Sequence, residues 1–174
     1  MTPSPSRTSD HRRAVLISAA GTVLVTAYAA LAALQILVLN PLAAAPGIDL
    51  NQIHADMAAV GESLNAPVAV GVLGLGIGLA ILLFVLIAVR RDVTRTAAMF
   101  GYLVLLAFGA PAYFIASFGA GMGLADTYMI GGADYSPWAL PLYLTSLLAL
   151  LAALTLGAVD LTRRHRRMTP PIAT

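Results

Sequence analysis

The chain contains no cysteine, and only 10% of its residues are charged. The absence of cysteine excludes disulfide bonds, thiol catalysis, Cys-ligated zinc and iron–sulfur clusters. A water-exposed domain of ordinary composition carries about a quarter charged residues. With so little charge, the chain lacks the polar surface that a soluble enzyme or soluble binding domain needs, so both classes are excluded.

Lysine is also absent, so all ten basic residues are arginine. Together with the abundance of alanine, this bias is typical of a bacterial genome rich in G and C, an inference from codon usage. Hydrophobic residues make up 59% of the chain, and its mean hydropathy is +0.86. The length of 174 residues indicates one domain, and we expect residues 1–174 to form a single integral membrane domain.

Four apolar segments are each long enough to cross a bilayer, which takes roughly 20 helical residues. None of them has an ionisable side chain near its middle. Because the hydrocarbon core offers no hydrogen-bond partners to the backbone, such segments must be helical. The sequence therefore predicts an all-α, polytopic four-transmembrane-helix bundle, with spans at about 14–39, 67–89, 96–118 and 138–159.

Arginine occurs only in three parts of the chain: the tail 1–13, the turn between the second and third spans, and the tail 160–174. The loops 40–66 and 119–137 lack arginine and contain acidic residues, namely Asp49, Asp56, Glu62, Asp126 and Asp134. Cytoplasmic segments of membrane proteins collect arginine and lysine. We therefore predict a multi-pass protein of the bacterial inner membrane, with both termini cytoplasmic and the two acidic loops outside.

The two outer loops differ in character. In the first, apolar residues recur at steps of three and four, which predicts an amphipathic helix that packs on its own bundle: Leu50, Ile53, Met57, Val60 and Leu64. Asp49 or Asn51 can cap the start of this helix. The second loop contains five glycines and is predicted to be irregular.

Small or polar residues form rows on three of the spans. Gly71, Gly74 and Gly78 lie on one face of the second span. The other rows are Ser18, Gly21, Thr22, Tyr28, Ala29, Ala32 and Gln35 on the first span, and Ser146, Ala149, Ala153 and Gly157 on the fourth. Small residues let helices approach closely in lipid, so we expect these faces to meet one another or a partner helix. Pro111 predicts a kink in the third span.

The spans lack the carboxylate or histidine that proton-coupled transport needs. In size and number of spans the chain resembles the small multidrug exporters, but it has no glutamate in its first span, on which that family depends. Haem ligation inside the membrane is also disfavoured, because His11 and His165 lie in the tails and His54 in a loop.

The acidic loops leave two interpretations open. If the two outer loops fold over each other, a histidine and several carboxylates could converge into a metal or catalytic site, but their spacing matches no known motif: His54 and Asp56, with Asp49, Glu62, Asp126 and Asp134. The favoured interpretation is that these are solvated loop residues. We therefore predict no catalytic, cofactor-binding or metal-binding residues, no cofactor and no nucleic-acid partner.

The leading functional expectation is a non-catalytic accessory or scaffold subunit of a cell-envelope membrane complex. Its expected partners are the lipid bilayer and either further copies of the chain or other membrane subunits. One alternative is a transporter or channel component for a neutral or hydrophobic solute. A possible internal repeat supports this alternative. Residues 67–70 resemble residues 137–140, and residues 92–95 resemble residues 160–163. The other alternative is a membrane enzyme with its site in the outer loops.

Overall fold

A computed structural model describes the backbone of residues 5–168 and the side chains of residues 9–163. Its elements, all helical, are α1 (Pro5–Leu34), a π-helical segment (Gln35–Leu39), α2 (Asn40–Ala44), α3 (Leu50–Ala59), α4 (Ala66–Val89), α5 (Arg95–Ala107), α6 (Gly109–Tyr128) and α7 (Ala139–Met168). Four helical stretches are long and apolar enough to cross a membrane: Ser9–Ala44, Ala66–Val89, Arg95–Tyr128 and Ala139–Arg163. The predicted all-α chain with four spans is confirmed over these residues.

Helix α1 packs against α4 and α5, α7 packs mainly on α5, and α4 also contacts α6. Two clusters of buried residues fill the bundle. One, around Ile36, Ile53 and Tyr113, lies towards the loops 40–66 and 119–137, which we call the acidic end. The other, around Ala14 and Tyr102, lies towards the α4–α5 turn, which we call the arginine end.

The first apolar helix continues beyond its predicted end, through a π-helical segment and α2 as far as Ala44. Within this stretch the backbone N–H of Asn40 donates to Gln35 O, five residues earlier. Pro41 follows directly and has no N–H with which to continue the α-helical pattern. The π-helical turn therefore lies where proline interrupts the backbone hydrogen bonds.

Helix α3 confirms the predicted amphipathic helix and its packing on the bundle. The Asp49 side chain caps it, accepting hydrogen bonds from the backbone N–H groups of Asn51 (2.9 Å) and Gln52 (3.0 Å). Ile53 and Met57 are fully buried against the bundle. The helix ends earlier than the apolar pattern predicted, since Gly61 adopts a φ of +82°, and Val60 is exposed.

The predicted irregular loop from residue 119 is wrong in its first half, because α6 continues to Tyr128. Gly119, Gly121 and Gly123 are all helical. A Cβ on Gly123 would lie 2.8 Å from Met57 Cε and 3.0 Å from Ser63 O. This glycine therefore brings α3 and the segment after it close to α6 instead of forming a turn.

The predicted kink in the third span is present as a break between α5 and α6 at Phe108, which has a ψ of −2°. Pro111 cannot donate a backbone hydrogen bond to the carbonyl of Ala107, so the helix is interrupted one turn before the proline.

Candidate functional site

Polar side chains on α1 make hydrogen bonds to neighbouring helices near the arginine end. The hydroxyl groups of Thr22 and Tyr102 lie 2.8 Å apart, and the Tyr102 hydroxyl donates to Ala80 O at 2.9 Å. This network joins α1, α4 and α5. Of the two outcomes predicted for the small and polar row of the first span, contact within the chain and contact with a partner helix, the structure shows the first here.

A second contact of this stripe lies at the break in the third span. The Ser146 hydroxyl of α7 donates to the Tyr28 hydroxyl of α1 at 3.2 Å. A Cβ on Gly109 would lie 2.7 Å from Tyr28 Cζ and 2.9 Å from Ser146 Oγ. The polar groups of α1 are therefore used to hold helices together, and they are directed into packed contacts.

The acidic end contains a larger polar network centred on Asp134, in the loop between α6 and α7. Its carboxylate accepts hydrogen bonds from the hydroxyl groups of Tyr113 (2.5 Å) and Tyr143 (2.8 Å). The two tyrosine rings meet edge to face, with their centroids 5.5 Å apart. Because Tyr113 lies on α6 and Tyr143 on α7, Asp134 ties the loop to both helices.

The π-helical segment and α2 hold the same loop from the other side. Asn40 Oδ1 accepts hydrogen bonds from the backbone N–H groups of Tyr135 (2.7 Å) and Ser136 (3.3 Å), and Gln35 Nε2 donates to Ser136 O at 3.5 Å. Gln35 is fully buried, and its Oε1 has no hydrogen-bond partner among the described residues. The sequence predicted a helix contact for the row that contains Gln35 but not this contact with the loop, because the residues that meet are about a hundred positions apart.

A cavity of about 230 Å³ lies beside this network, between α6 and the loop. Asn40, Asp134 and Tyr143 form its polar side, and Phe114 and Phe118 lie on its apolar side. The two phenylalanine rings are more than half exposed. Asp134 accepts hydrogen bonds from two tyrosine hydroxyls, and these contacts fasten the loop to α6 and α7.

The acidic loop residues that could have formed one site are held in separate contacts. Asp56 accepts hydrogen bonds from Gln52 Nε2 (2.6 Å) and from the Tyr128 hydroxyl (3.0 Å), whereas Asp134 binds other tyrosines. His54 is exposed on α3. Over the described residues there is no group of three His, Cys, Asp or Glu side chains that could hold a metal ion.

The rows of small residues divide into two kinds. Ser146, Ala149 and Ala153 of α7 are buried, as is most of the α1 row. By contrast, Gly71, Gly74 and Gly78 of α4 are exposed, and a Cβ added to any of them would find no heavy atom within 4 Å. The α4 row therefore has no partner helix within the described part of the chain.

No family model matches the chain, and no curated protein or solved structure matches it either.

Proposed function

We propose that the protein is a non-catalytic accessory or scaffold subunit of a complex in a bacterial cell membrane, with both termini in the cytoplasm. The observation that supports this most is the open glycine face of α4. Glycine rows in lipid allow a second helix to approach the backbone closely, and such rows are a common interface between membrane helices.

The position of the row on α4 strengthens this proposal. The buried residues of α4 are Ala69, Leu73, Ala80 and Ile87, on the side that faces the bundle. At 100° per residue, Gly71, Gly74 and Gly78 lie on the opposite side of the helix. These glycines therefore do not contribute to packing within the described part of the chain. Because they have no side chains, they leave room for a partner helix.

The transporter alternative receives less support. The α1 stripe, which could have lined a solute path, is used in contacts such as those of Thr22 with Tyr102 and Tyr28 with Ser146. These contacts join helices tightly.

Purification in a mild detergent from the native host, with identification of co-purifying proteins, tests the proposal. The wild-type chain should carry a membrane protein in a fixed ratio, and Gly74→Leu should lose most of it. Ala152→Leu is the control, since it places the same leucine side chain at an exposed position on α7.

The proposal is contradicted if wild type carries no such protein, or if both variants retain it equally. Recovery of further copies of the chain alone would favour the alternative of an oligomeric transporter or channel component.

A further inference from the structure

An open cavity of about 510 Å³ lies between α1 and α5 at the arginine end. Arg13 of α1 and Arg95 of α5 line it together with Thr96, Leu16, Ile17 and Met99. A second cavity, lined by Ser9 and Arg12, shares Arg13 and Leu16 with the first. Arginine residues from two different helices thus line one groove.

The groove has a firm base, because Ala14 and Ala98 are both fully buried in the same cluster. Arg13 directly precedes Ala14 in the chain, and Met99 directly follows Ala98. The two helices are therefore packed together next to residues that line the cavity. The arginine side chains are exposed above this base, and among the side chains that the structure describes neither forms an ion pair.

We propose that this groove binds the phosphate group of an anionic amphiphile. Two planar guanidinium groups can each donate paired hydrogen bonds to phosphate oxygens, which makes arginine a good phosphate ligand. The start of α5, at Arg95 and Thr96, adds the positive end of a helix dipole to the same potential.

The apolar side of the groove fits the rest of an amphiphile. Leu16 is 61% exposed and Met99 42% exposed, so both present hydrocarbon surface next to the arginines. Basic pockets between membrane helices are typical sites for anionic lipid head groups. A lipid phosphate and a free phosphate share the chemistry that the arginines recognise, but only the lipid would also cover these two side chains.

The test uses the purified full-length protein and native mass spectrometry with phosphatidylglycerol, phosphatidylcholine and inorganic phosphate. Phosphatidylglycerol should be retained in preference to phosphatidylcholine. Arg13→Gln and Arg95→Gln should each weaken its binding by about tenfold or more, the scale of losing a hydrogen-bonded charge. Arg91→Gln, which removes an exposed arginine of the same end from outside both cavities, should change binding less than about twofold.

Equal retention of the two lipids would overturn the proposal. An equal loss of lipid binding in Arg91→Gln and Arg13→Gln would also overturn it, because binding would then depend only on diffuse surface charge. Displacement of the lipid by millimolar inorganic phosphate, together with equal lipid retention by Leu16→Ala and wild type, would also contradict the proposal, because it would indicate a free anion as the ligand. A loss of lipid retention in Leu16→Ala would support the lipid. Because this site lies away from α4, its failure would leave the proposed accessory function untouched.

Discussion

Tyr102 of α5 lies directly against Gly21 of α1, so that a Cβ added to Gly21 would fall within 2.8 Å of three ring carbons of Tyr102. The ring is held from its other end, because its hydroxyl donates to Ala80 O. These carbons, Cγ, Cδ1 and Cδ2, are the ring atoms nearest the backbone, so they cannot move without shifting α5. The contact sets how closely α1 and α5 approach.

Gly21→Ala should therefore lower the stability of the protein by about 1–3 kcal/mol, the usual cost of adding volume to a packed interior. Thermal unfolding in detergent, followed by circular dichroism, measures the change. Gly74→Ala is the control, and it should be neutral or stabilising by up to about 1 kcal/mol, because alanine favours a helix and the space is open. Equal destabilisation by both variants would contradict the packing described.

Tyr102→Phe should lower stability by about 0.6 kcal/mol and by no more than about 1.7 kcal/mol, the average and the maximum measured for hydrogen bonds between membrane helices. The change removes the donor to Ala80 O and the contact with Thr22 while keeping the ring. Tyr135→Phe is a matched control, since the Tyr135 hydroxyl is in an exposed contact with Gly131 O. If both variants unfold at the temperature of the wild type, the interior network does not contribute to stability.

Asp134→Ala should lower stability by about 1–3 kcal/mol, because the hydroxyl of the fully buried Tyr113 loses its acceptor. Adding Tyr113→Phe should recover part of that loss, since no unpaired hydroxyl then remains. The measurement is thermal unfolding of the single and double variants. Asp126→Ala removes an exposed carboxylate from the same end of the bundle and should change stability by less than about 0.5 kcal/mol. An equal effect of Asp126→Ala would show that the Asp134 contacts are unimportant.

The orientation in the membrane can be tested by labelling, because the chain has no cysteine of its own. Cysteine placed at Glu62 or Ala133 should react with an impermeant thiol reagent in intact cells, whereas cysteine at Asp92 should react only after lysis. Arginine-rich segments stay in the cytoplasm, which is the reason for this expectation. Reaction of position 92 in intact cells would reverse the orientation.

Local features were predictable from the sequence. The cap at Asp49 and the buried face of Ile53 and Met57 follow from residues within one or two helical turns, and the structure confirms them. The break before Pro111 is equally local, because it depends on a missing N–H within a single turn. The predicted loop from residue 119 was wrong because Gly123 has a packing role, against Met57 and Ser63, that no nearby residue reveals.

The polar contacts at the acidic end could be predicted only in part. The sequence placed Gln35 in the small and polar row of the first span, which we expected to meet another helix. It did not indicate Asn40, Ser136 or Asp134 as members of the same network, because their contacts depend on how the helices are arranged.

The amino-acid sequence by itself determined the number of spans and their helical nature, because in lipid a continuous apolar segment can pair its polar backbone groups only within a helix, and a β-barrel would need alternating apolar and polar residues. It also placed all the arginine at one end of the bundle. Which rows of small residues are used inside the chain was decided only by the tertiary structure. The row of α4 is glycine alone, whereas the rows of α1 and α7 include polar side chains, and in lipid a row of small residues does not show whether its partner helix belongs to the same chain. The structure packs Gly21 against Tyr102 and leaves Gly74 with no heavy atom near its face.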